Sequence, residues 1–121
     1  MPHPLLLSKG SLLIKILPHI GATIVSLEKG SSGNILKSDS ALWDDKNIPE
    51  LSAFSDFKAY NGHTVWVGPQ SDWWINQNQN TERRDSAAQW PPDPYLVYGE
   101  YHVDRKEQHL ASLSGPERRL S

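Results

Sequence analysis

Two short apolar runs, divided by a proline and a glycine, constrain this chain more than anything else in it. Ser11 to Leu17 (SLLIKIL) stops at Pro18, and Gly21 opens Ala22 to Glu28 (ATIVSLE). Both are too short and too sharply bounded for helices, so they read as strands. In the second, Thr23, Val25 and Leu27 share one face while Ile24 and Ser26 share the other. The link Pro18-His19-Ile20-Gly21 makes them an antiparallel pair. Gly30-Ser31-Ser32-Gly33 reads as a turn, since glycine takes positive φ at little cost. Asn34 to Lys37 (NILK) then reads as a third short strand.

The same punctuation runs on. Ser38 to Phe57 lacks a clear period and is broken by Pro49, which predicts a loop with one helical turn near Glu50 to Phe54. Asn61-Gly62 is a strong turn signal ahead of the β-rich His63-Thr64-Val65-Trp66-Val67, which Gly68-Pro69 closes. Tyr98 to Val103 and His109 to Ser114 read as a hairpin around Asp104 to Gln108. Gly115 to Ser121 reads as a polar, frayed tail. With 8 Gly and 9 Pro in 121 residues, the expectation is an all-β antiparallel sandwich with long loops and little helix. One domain spans 5–116, followed by a polar tail at 117–121.

Composition excludes several classes of function. The absence of cysteine removes a disulfide scaffold, a CxxC zinc site, an iron–sulfur cluster and a thiol nucleophile. Twelve basic against 14 acidic residues give a net charge of −2, which removes the electrostatic case for nucleic acid. No apolar run approaches the roughly 20 residues of a membrane span. Met1-Pro2-His3-Pro4-Leu5-Leu6-Leu7 lacks a basic n-region, and Lys9 and Gly10 end its apolar stretch. It does not read as a signal peptide, so the expected location is cytoplasmic by default. The five histidines (His3, His19, His63, His102 and His109) have no HxH or HExxH spacing, so no metal site is expected. Phosphate-loop, dinucleotide and nucleophile-elbow motifs are absent, and no cofactor is expected.

Gln70 to Pro94 fits no helix or strand template. It contains Trp73-Trp74, the polar tract Asn76 to Asn80, Glu82-Arg83-Arg84-Asp85 and Trp90-Pro91-Pro92. A loop of this length in a small domain is functional or disordered, and its three tryptophans favour function. Four of the chain's five tryptophans fall between residues 66 and 90, and Trp43 stands apart. Indole faces beside amide, carboxylate and imidazole groups suit a sugar, whose apolar ring face stacks while its hydroxyls take a few placed partners. The candidate ligand-binding residues are therefore His63, Trp66, Gln70, Trp73, Trp74, Arg83 and Trp90. The competing structural reading makes Trp66 core, lets Trp73 and Trp74 pin the loop, and leaves 82–85 solvated with internal ion pairs. His63, as a general acid or base, and the carboxylate of Asp72 are the catalytic candidates.

These residues resemble a family. Pro18-His19-Ile20-Gly21-Ala22-Thr23-Ile24-Val25-Ser26-Leu27, followed by a glycine turn and Asn34-Ile35-Leu36, resembles the opening of galactose-mutarotase-like domains. Asn61-Gly62-His63-Thr64-Val65-Trp66-Val67-Gly68-Pro69-Gln70, with Trp90-Pro91-Pro92-Asp93-Pro94-Tyr95, is similar to an uncharacterised, mainly bacterial branch of that superfamily. The resemblance covers about Leu5 to Pro116. It implies a β-supersandwich, of which this chain is the N-terminal portion, binding carbohydrate on a concave sheet. Characterised members interconvert sugar anomers with a histidine acid and a glutamate base. Here Gln70 or its neighbours take the place of the epimerases' substrate-holding arginine, and no residue matches the base. The leading expectation is carbohydrate binding without complete catalytic machinery. The alternatives are an epimerase using His63 and a carboxylate, and a truncated structural module that self-associates through exposed strand edges.

Overall fold

Three strands in sequence order make the first sheet. A computed structural model describes residues 3–43, 48, 51–58, 60–64, 66, 68–94, 96–97 and 99–115. In it β1 (Leu5–Lys9), β2 (Leu12–Leu17) and β3 (Thr23–Lys29) pair antiparallel, each with the next. The expected β2–β3 pair is present. β1 was not among the strands read from the sequence. Its pattern is visible only with β2 opposite, where Leu5 is buried and Leu6 is left 43% exposed. The fold is all-β and antiparallel, with little helix.

β3 departs from simple alternation. Lys15 lies opposite Ser26 and Ile16 opposite Ile24, so Val25 is the extra residue of a bulge. Thr23, Val25 and Ser26 are consequently all buried, and the two-faced pattern expected for this strand breaks at Val25.

The third strand expected at Asn34 to Lys37 does not form. The Asn34 side chain takes over the pairing, its Oδ1 accepting from Leu27 N at 3.0 Å and Leu36 N at 2.9 Å. Its Nδ2 donates to the Val25 carbonyl at 2.8 Å, and Ile35 N donates to the Leu27 carbonyl at 3.0 Å. A short amide side chain can substitute for a ladder in this way. Asn34→Ala removes three hydrogen bonds and is expected to lower stability by about 1–3 kcal/mol in urea unfolding. Asn34→Asp keeps the acceptor but loses the donor, and is expected to fall between.

A second difference lies along the same edge of β3. Asn61 and Gly62 do form the expected turn, with φ of 59° and 73°. His63 exchanges both backbone hydrogen bonds with Ile24, at 2.8 and 2.9 Å. Because that bridge is antiparallel, the chain after His63 heads toward the start of β3, where only Thr23 remains for it to pair with. Thr64 and Trp66 belong to no strand, while Val65 and Val67 lie outside the described residues. In the preceding loop, a 3₁₀ turn at Ser40–Leu42 is capped by Asp39. A further turn closes with Ser55 N donating to the Ser52 carbonyl at 3.0 Å; Glu50, where the helical turn was expected to begin, lies outside the described residues.

The second sheet is a hairpin, β4 (His102–Glu107) and β5 (Leu110–Ser114), turning at Gln108-His109. The run Asp104 to Glu107, read from the sequence as loop, is strand. It is exposed on both faces, so charge there hides a β period. Tyr98 and residues 116–121, with the expected start of the hairpin and the polar tail, lie outside the described residues. The hairpin turn meets the outer edge of β1. Ser8 N donates to the Gln108 carbonyl at 3.0 Å, and Arg105 Nη1 donates to the Leu6 carbonyl at 2.8 Å.

The main core packs Leu17, Ile20, Val25, Trp43, Ile48 and Tyr60. This accounts for the isolated tryptophan. The Trp43 ring is buried, its Nε1 donates to Ser38 Oγ at 3.1 Å, and the Lys15 ammonium lies 5.4 Å from the ring centroid. Gly21, at φ 61°, lets the β2–β3 link pass against the carbonyls of Leu96 and Val97, where a Cβ would collide.

Candidate functional site

The long segment 70–94 is ordered by a small core of its own. Trp73 and Trp74 are buried with Ala53 and pack against Ala88. Trp74 is fully enclosed. Its Nε1 donates to the Pro91 carbonyl, and the Arg83 guanidinium lies 4.7 Å from its ring centroid. The polar tract, unreadable as a repeat or a helix, supplies the loop's internal hydrogen bonds. Gln77, 1% exposed, donates from Nε2 to the carbonyls of Trp74 and Asn80, both at 2.8 Å. Its Oε1 accepts from Asn80 N at 2.8 Å, and Asn80 Nδ2 reaches the Ala53 carbonyl at 3.2 Å. Buried side-chain amides are tolerated because their donors and acceptors are matched.

A single helical turn, α1 (Thr81–Asp85), follows from Asn80. The Asn80 Oδ1 accepts from Arg83 N at 3.1 Å, as an N-cap does. Arg83 points inward and donates to the Ala53 carbonyl at 3.2 Å. Arg84 points outward, pairing with Asp85 at 3.1 Å and with Asn78 Oδ1 at 2.6 Å.

Upon this base stands an aromatic cluster. Trp66 meets Trp73 edge-on, with centroids 5.3 Å apart and planes at 82°. Trp90 lies 6.0 Å from Trp66 and 6.3 Å from Trp73. Phe57 closes the group, 4.9 Å from Trp90 at 74°. Edge-to-face contacts of this kind satisfy ring quadrupoles without flat stacking. Trp66 remains 52% exposed and Trp90 48%, whereas Trp73 is 4% exposed. The cluster therefore consists of a buried anchor and two indoles that present surface to solvent.

Beside Trp66 opens a cavity of about 190 Å³. Phe57 and Trp66 line it on the aromatic side, Ile20 and Val97 supply apolar walls, and Lys58, Tyr60, Asn61 and Thr64 bring polar atoms. Burial pushes the Tyr60 phenol above its ordinary value, so it stays a neutral hydroxyl through neutral pH. Gly62 forms part of the same wall. Its Cβ position would coincide with the Ile24 carbonyl, so the turn can seat against β3 only with glycine there.

The residues named from the sequence divide into three groups. Trp66, Trp73 and Trp90 come together in one cluster, of which Trp66 and Trp90 present faces. Trp74 and Arg83 are corrected to structural parts, because the ring is enclosed and the guanidinium is spent on that ring and on Ala53. Gln70, His63 and Asp72 are exposed and none lines the cavity. Gln70 Nε2 donates to the Gln89 carbonyl at 2.8 Å, tying the loop's two ends together next to Trp90. Asp72 accepts from Ser71 Oγ at 3.1 Å, and no hydrogen bond or ion pair joins it to His63.

Sequence reasoning missed Phe57, Lys58, Tyr60, Asn61 and Thr64. The one signal there was the Asn61-Gly62 turn, which gathers residues from both its sides onto one wall. Among the described residues, no group of three or more His, Asp or Glu side chains could hold a metal ion, and no helix is long and apolar enough to cross a membrane.

A comparison with protein families matches residues 3–121 to one family, described as a domain of unknown function, DUF4380. No curated protein and no solved structure matches the chain.

Proposed function

The chain belongs to the DUF4380 family, which brings no assigned activity with it, and we propose that it binds carbohydrate on the Trp66–Trp90 surface and the adjoining cavity. In this reading the described sheets belong to a galactose-mutarotase-like fold. The observation that carries it is the pairing of half-exposed indoles with a small polar-lined hollow. Trp66 is 52% exposed although two other indoles pack against it, and it borders the cavity directly. An exposed indole held rigidly by its neighbours loses little freedom when a ligand stacks on it, so most of the stacking energy is kept as affinity.

The cavity, at about 190 Å³, is smaller than the roughly 300–1,000 Å³ that accommodates a drug-sized ligand. It suits one pyranose ring entering from the Trp66 side. The reading is of binding without turnover, since His63 and Asp72 stand outside the cavity lining.

Titration with a panel of neutral and acidic glycans, followed by tryptophan fluorescence and calorimetry, tests this. Saturable binding is expected. Trp66→Ala is expected to weaken it about tenfold or more, equivalent to roughly 1.4 kcal/mol or above, and Trp90→Ala by less. A flat response across the whole panel overturns the reading. So does binding that Trp66→Ala leaves unchanged in a variant with a native circular dichroism spectrum.

A further inference from the structure

Resting on the carbohydrate reading, we propose that the sugar this site selects carries a carboxylate, so that the ligand class is a uronic acid or a uronate-ended glycan, and that Lys58 recognises the charge. Lys58 contributes an ammonium to the cavity, Asn61 an amide, and Tyr60 and Thr64 hydroxyls. Among the described residues, no Asp or Glu lines it. Neutral sugars are commonly held through carboxylates that accept from adjacent hydroxyls, and that half of the chemistry is missing from this wall. What the wall offers is neutral hydroxyl and amide groups and one positive charge.

Lys58 is exposed and makes no ion pair with any described residue. The two arginines of α1 are engaged elsewhere. Arg83 is stacked on Trp74, and Arg84 is paired with Asp85. Lys58 is thus a cation lining the cavity together with Trp66, and among the described residues no carboxylate pairs with it. One lysine is a single point charge without the planar fork of arginine. That matches a singly charged carboxylate better than a phosphate, whose extra charge and three acceptor oxygens call for more donors. In a site partly shielded by Phe57 and Trp66 the attraction is stronger than on open surface, yet it remains sensitive to salt.

The test compares methyl galacturonate and methyl glucuronate glycosides with the corresponding neutral glycosides and with the uronate methyl esters, by calorimetry on the whole chain. The esters keep the shape and lose the charge. Each free uronate is expected to bind about tenfold more tightly than its ester or neutral counterpart, and 0.5 M salt is expected to shrink that ratio. Lys58→Gln is expected to reduce the ratio to about twofold or less. Lys58→Arg is expected to preserve it. Equal binding of uronate and ester, or a uronate preference that survives Lys58→Gln, overturns the assignment while leaving carbohydrate binding itself standing. Absence of binding by every glycoside, charged and neutral, overturns both.

Discussion

Trp74→Ala is expected to lower the unfolding free energy by about 3–5 kcal/mol, the range for removing a fully buried large aromatic. The effect has three parts with separate causes. The indole is enclosed against Trp73 and Ala53, so its removal leaves a cavity that the tightly turned loop cannot collapse into. The Pro91 carbonyl loses the Nε1 donor that satisfies it. Arg83 loses the ring beneath its guanidinium, which then remains half-buried beside an apolar void. A loss of this size is a large share of the stability of a small domain, typically about 5–15 kcal/mol. Urea denaturation followed by circular dichroism measures it. Trp74→Phe restores much of the volume without the donor and is expected to recover about half of the loss. A Trp74→Ala protein as stable as the parent would show that segment 70–94 does not depend on its own core.

The second large effect is expected at Gly62, whose replacement by alanine is expected to cost about 2–4 kcal/mol. Its φ of 73° lies in the left-handed region, where a Cβ costs about 1–2 kcal/mol. The added methyl would also meet the Ile24 carbonyl, a backbone atom that cannot move without disturbing β3. Gly33 separates these contributions. It has the same φ of 73°, but a Cβ there meets nothing within 4 Å. Gly33→Ala therefore reports the conformational cost by itself, and the excess at Gly62 reports the collision. Equal losses at the two positions in parallel urea titrations would mean that the turn is free to retreat from β3. Because Gly62 lines the cavity, Gly62→Ala is also expected to weaken any ligand held there, whereas Gly33→Ala is not.

Legibility in the sequence followed the range of the interactions involved. The β2–β3 pair, the Gly30–Gly33 turn and the Asn61-Gly62 turn rest on local patterns, and each is present. Strand character failed where a side chain or a neighbour decided the pairing. Asn34 to Lys37 reads as a strand because Ile35 and Leu36 favour one, yet the Asn34 amide occupies the ladder sites first. His63 onward has the right residues for a strand but meets β3 at Ile24, one residue from the start of that strand. β1 and the Asp104 to Glu107 part of β4 escaped notice for the opposite reason, since each is partly exposed and shows no clean apolar alternation in isolation.

The site divides along the same line. The tryptophan-rich stretch singles out Trp66, Trp73, Trp74 and Trp90, but an indole looks the same in a sequence whether enclosed or presented. Trp73 and Trp74 are adjacent and both buried, whereas Trp66 and Trp90, each in contact with Trp73, are half exposed.

By itself, the sequence determined an all-β, cysteine-free domain built around one antiparallel pair, with its aromatic surface drawn largely from residues 66 to 90. Those properties depend on composition, turn residues and short-range periodicity, which act within a few positions of chain. Only the tertiary structure decided which tryptophans face solvent, that Arg83 is a structural cation and that Lys58 borders the cavity. Exposure and charge environment depend on what packs against a residue from distant segments, as Ala53 does against Trp74 and Asn80 and as Ile24 does against Gly62.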